Sequence, residues 1–137
     1  MIRKILLLLA GATASVALAL EPPSHTLSPE ERFIAVDLGV REITLDGMRQ
    51  RLALLRTSGL KGNDRTGADA NLDAETQRRV NALYRASGTT AAAHAAFGTR
   101  HAESVRELLA THPEWRARHE ALEREFQSLS AQLRATR

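Results

Sequence analysis

Apolar side chains along this chain recur at helical spacing, in two rows separated by a polar stretch. The first row is Ile34, Leu38, Leu45, Met48, Leu52 and Leu55, advancing by fours and threes with only Arg41 intruding. Phe33, Val36, Val40 and Ile43 widen that face over its first half. The second row is Phe97, Val105, Leu108, Trp115, Leu122, Phe126, Leu129 and Leu133, and His101, His112 and His119 occupy the slots that complete it. An apolar period of about 3.5 residues marks a helix that lays a narrow seam against another helix. The pattern predicts an all-α fold of three or four antiparallel helices in a hairpin or open bundle.

Local signals place the helix ends. Ser28-Pro29-Glu30-Glu31 has a capping serine, a proline suited to the first helical position, and Glu31 to complete a capping box. Gly59 supplies the left-handed residue that ends this helix, setting it at about 29–58. Gly39 and Gly47 weaken it by about 1 kcal/mol each relative to alanine, and Gly47 marks either a kink or a close helix contact. Gly59, Gly62 and Gly67 among polar residues predict a loop over 59–72. Asp73 then caps a second helix, over 73–87. Its end, Ala82 to Gly88, repeats the stop signal of Ala53 to Gly59.

Thr89 or Thr90 caps a third helical stretch over 90–136, whose start, Ala91 to Ala96, is nearly all alanine and lets another helix approach closely. Pro113 is its one interruption. A proline inside a helix costs about 3 kcal/mol, yet the seam keeps its phase from Leu108 through Trp115. The expectation is a long C-terminal helix, kinked or broken near Pro113. Unbroken, it would span about 70 Å against about 45 Å for the first helix. That mismatch leaves part of its seam uncovered by its own chain and argues for a partner.

The first residues stand apart from this domain. Arg3 and Lys4 precede an apolar run from Ile5, and Ala17-Leu18-Ala19 is a small-residue cleavage pattern. Residues 1–19 read as a signal peptide cut after Ala19, 20–27 as an extended lead-in, and 28–137 as one helical domain. The run to Leu20 is short of the ~20 residues a spanning helix needs, so no stable membrane span is expected after cleavage. The destination is the periplasm or the exterior. Absence of cysteine excludes disulfides, thiolate metal sites and thiol catalysis.

Losing Arg3 and Lys4 leaves seventeen basic against sixteen acidic residues, so net charge falls from +3 to +1. The charges interleave along the helices, and binding nucleic acid needs a clustered positive face. Nucleic acid is therefore not an expected partner. A second copy, or another exported protein, is.

His94, His101, His112 and His119 are the candidate responsive groups. Their steps of seven and eleven keep them within about 20° of one helix face. Neutral imidazoles packed in a seam would charge in acid, near their ordinary pKa of about 6.5. A metal would need ligands from a facing helix, because neighbours seven apart on one helix lie about 10.5 Å from each other. The bland reading is that they are seam-edge residues with one nitrogen in water. Asp69 to Asp73 has the alternating oxygens of a calcium loop, but Ala74 and Val80 occupy its glycine and bidentate glutamate positions. No phosphate loop, nucleophile elbow or zinc-protease motif is present. No cofactor and no catalysis are expected.

The layout of a signal peptide, long helices and few aromatics resembles the small helical periplasmic stress chaperones and metal sensors. The likeness is one of architecture, since Leu27-Ser28-Pro29-Glu30-Glu31 stands in place of their L-T-x-x-Q signature. The sequence therefore predicts an exported, non-catalytic helical protein that binds through its helix seams, by self-association or by a scaffold-like interaction. The alternative is a sensor of protons or a divalent metal.

Overall fold

The computed structural model describes residues 26–57, 59 and 61–136. The expected signal peptide and its cleavage site lie outside the described residues. Among the described residues the fold is all-α, with five helices: α1 (Pro29–Thr57), α2 (Gly62–Ala86), α3 (Ala91–Arg100), α4 (Ala102–Thr111) and α5 (Pro113–Ala135). No helix among them is long and apolar enough to cross a membrane.

The helix α1 is the axis on which the others pack. Its capping box forms as the sequence predicts: the Ser28 amide donates to Glu31 Oε2 at 2.6 Å, and the Glu31 amide donates to Ser28 Oγ at 3.1 Å. One face carries Ile34, Leu38, Leu45 and Leu52 into a core completed by Leu122, Leu129 and Leu133 of α5. Leu45 is 1% exposed, and burying a leucine in full contributes about 1.5–3 kcal/mol.

The helix α2 packs antiparallel on a different side of α1. Arg51 bonds Asp73, Asp46 accepts from Arg79, and Gly47 meets Thr76, so position numbers fall on one helix as they rise on the other. A Cβ at Gly47 would lie 2.3 Å from Thr76 Oγ1. Gly47 is thus a close helix contact and not a kink. The predicted loop over 59–72 is corrected, since α2 already begins at Gly62. The reason is tertiary: the first half of α2 lies against α1 despite its glycines, with Ala68 and Leu72 beside Ala53 and Leu54 and with Asp69 and Asp73 beside Arg51.

The helix α5 runs parallel to α1. Arg118 donates to Glu42, Arg49 to Glu125 and Arg56 to Gln132, each pair separated by 76 positions. A constant offset requires parallel axes. The expected all-antiparallel arrangement is therefore corrected, and so is the long helix over 90–136. The helix α3 runs down α1 antiparallel, with His94 by Asp37 and His101 by Glu30. For α5 to return parallel, the chain must reverse between them. The helix α4 makes that reversal beside the start of α1, where Ser28, Glu30, Ser104 and Leu108 line one cleft.

Two single residues make the corners. His101 has φ −114° and ψ 23°, and helical hydrogen bonds continue on either side of it (its amide to Phe97 O, 2.9 Å; the Val105 amide to His101 O, 3.0 Å). His112 has φ −118° and ψ 86°, outside the helical region that a following proline disfavours. Its ring caps α4, with Nδ1–H donating to the Leu108 carbonyl at 2.9 Å. Divided in this way, the second apolar row is no longer a 70 Å rod. The 23 residues of α5 fit alongside the 29 of α1, removing the length mismatch.

Candidate functional site

Most of the two predicted seams meets inside this chain. Met48, Leu55, Val105, Leu108 and Trp115 pack around the buried leucines. Two members depart. Phe97 stacks on Phe33 of α1 at 5.4 Å, and Phe126 remains 41% exposed.

Phe126 borders an open strip of α1. Gly39, Asp46 and Gly47 turn toward α2, while Leu38, Leu45 and Leu52 turn toward α5. At about 100° per residue these two faces lie about 100–200° apart around α1, and α2 and α5 leave a channel between them. A cavity of about 150 Å³ lies along it, between Val40 and Thr44 of α1 and Leu122 and Phe126 of α5. An ion pair from Arg41 Nη1 to Glu123 Oε2 (3.3 Å) forms one lip. Further along the same face of α1, Arg51, Leu55, Asp69 and Leu133 line a second cavity of about 240 Å³. Arg51 Nε is buried there without a hydrogen-bond partner. The first cavity has apolar walls and a charged lip, which is the surface an amphipathic helix presents in reverse, whereas the second is lined mainly by charged side chains, with Arg65 and Asp73 beside Arg51 and Asp69.

The second feature is a stack of rings joining α3 to α1. His94 lies on Phe33 (4.3 Å between centroids), Phe33 on Phe97, and Phe97 on His101 (4.2 Å). Each terminal histidine faces a carboxylate of α1: His94 Nε2 is 3.9 Å from Asp37 Oδ1, and His101 Nδ1 is 3.7 Å from Glu30 Oε1. Both distances exceed a hydrogen bond. His94 is 9% exposed, and burial holds its pKa below the ordinary 6.5 although Asp37 pulls the other way. Tyr84 of α2 tilts over the same ring at 5.4 Å, and burial raises its phenol above 10.0. The approach depends on Gly98, where a Cβ would sit 2.7 Å from Phe33 Cζ.

No protein-family model, curated protein or solved structure matches the chain. Its site must therefore be read from its own geometry.

The histidine row does not survive as a unit. His94 and His101 are joined through the two phenylalanines, whereas His112 stacks on Trp115 at 4.6 Å and caps α4. His119 lies half-buried on α5. The common face existed only on an unbroken helix, and the corners at His101 and His112 disperse it. Among the described residues no group of three or more His, Asp or Glu side chains could hold a metal ion. Asp69 and Asp73, the ends of the calcium-like segment, lie within α2 and pair with Arg51.

Sequence reasoning missed Asp37 and treated Glu30 only as part of a cap. A signal was present: Glu30 and Asp37 are spaced by seven, as are His94 and His101, which is what two facing antiparallel helices require.

Proposed function

We propose that this chain is an exported, non-catalytic binding protein. It receives an amphipathic helix in the channel along α1, and that helix comes from a second copy or from another exported protein. The observation that supports the reading is the 41% exposure of Phe126 beside the apolar cavity at Val40 and Leu122, while the other large seam residues among the described residues are packed. A phenylalanine in water at the edge of a groove is the kind of anchor that dominates a small interface. The Arg41–Glu123 ion pair on the lip would fix the orientation of the incoming helix.

The reading includes export to the periplasm or exterior, which the amino-terminal pattern supports. The test is the mass of the mature chain from residue 20 by light scattering over a concentration series, beside the Phe126→Glu variant. Concentration-dependent association that Phe126→Glu weakens at least tenfold is the expected result. A monomer at every concentration that also fails to slow the aggregation of an unfolded exported protein would overturn it.

A further inference from the structure

The helix α3 is held to the molecule by few groups. Ala91, Ala92, Ala93, Ala95 and Ala96 are exposed, and His94 is the one buried residue of the helix. A ten-residue helix is marginal in isolation, so it persists by docking. The docking face is the ring stack from His94 to His101. The leucine core of α1 and α5 contains no residue of α3. Short connections bound α3 on both sides, Ser87–Thr90 before it and the His101 corner after it.

We propose that α3 is an acid-released strap: protonation of His94 undocks it from α1 and uncovers the Phe33 and Phe97 rings, leaving the α1–α5 core intact. The physical reason is the enclosure of His94. Its Nε2 is buried without a hydrogen-bond partner. A neutral imidazole stacked between Phe33 and Tyr84 tolerates this, and an imidazolium does not.

The one carboxylate facing it, Asp37, offsets the burial only in part. On α1, Asp37 is 3.9 Å away and is already bound by Arg41 Nε at 2.8 Å, and Arg32, a cation, lines the same cavity as His94. On α2 the facing group is the Tyr84 phenol, and at the far end of the stack His101 faces Glu30. The undocked ring regains water and its ordinary pKa of about 6.5. Protons therefore bind the undocked form more tightly, and docking weakens as pH falls. The docking contribution is fully present above about 6.5 and is lost as pH drops through the lowered value of His94.

The cysteine-free chain permits a direct test. Spin labels on cysteines replacing Ala95 of α3 and Ala117 of α5, both exposed, report the strap by pulsed electron resonance on the mature protein. One narrow distance is expected near pH 7.5. Near pH 5 a second, broader population should take over, with helical content elsewhere retained. His94→Phe, which keeps a ring but takes no proton, should abolish the change. Asp37→Asn should move it to higher pH. The proposal is overturned if the unsubstituted distance is the same at both pH values, if His94→Phe converts as the parent does, or if the whole helical signal collapses together. Should His94→Phe fail to fold, the His94 ring resonances of the parent decide. A titration midpoint below 6.5 that coincides with opening supports the strap, and any other midpoint overturns it.

Discussion

Leu45 and Gly47 lie two positions apart on α1 and face different neighbours. Leu45 was legible from its place in the apolar row, because a helical period alone says which side is buried. Gly47 was legible only as an alternative, since a glycine lacking a partner in view has two meanings. Thr76 decides between them. Gly47→Ala gains about 1 kcal/mol of helix propensity but forces a Cβ onto the Thr76 side chain, whose Cβ is also only 3.3 Å away. Denaturant unfolding should show a net loss of about 1–3 kcal/mol, part of it recovered when Thr76→Ala is added. Additive effects of the two changes would mean that the helices do not touch there.

Among the elements, α1 followed its own signals, and the C-terminal stretch did not. Pro113 warned of one corner, and nothing local warned of the other. Near His101 the backbone keeps its helical hydrogen bonds on both sides, and the bend is imposed by the ring stack and by the return of α5. The corner at residue 112 is over-determined in the same way, by packing as well as by proline. Pro113→Ala should therefore leave helical content unchanged by circular dichroism and alter stability by less than about 1 kcal/mol. A rise in helicity would show that proline alone keeps α4 and α5 apart. His112→Ala should cost about 0.5–1.5 kcal/mol, because the Leu108 carbonyl loses its ring donor while keeping that of the Thr111 hydroxyl. The emission of Trp115, the only tryptophan, should shift to the red as its stacking partner is removed.

For the whole molecule the decisive relation is the parallel register of α1 and α5. The paired charges report it, but at exposed sites each is worth no more than about 1 kcal/mol, so they mark the register and do not create it. The register comes from two leucine rows of matching period. Cysteines replacing Arg49 and Glu125 should be joined readily by a short bismaleimide, while cysteines replacing Arg49 and Arg118 should not. Equal yields for the two pairs would remove the parallel arrangement, and with it the channel beside Phe126.

By itself the sequence determined the helical class, the capping of α1, and which leucines are buried, because periodicity and caps act within a few residues of chain. It also carried the paired spacing of two carboxylates and two histidines. Only the tertiary structure decided that α2 starts early, that the last stretch turns twice, and that His94 alone of the four histidines is buried among rings. Those outcomes depend on Ala68 and Leu72 lying beside Ala53 and Leu54, on Gly98 admitting Phe33, and on a chain reversal around the start of α1. They are contacts between residues far apart in the chain, for which local propensity carries no term.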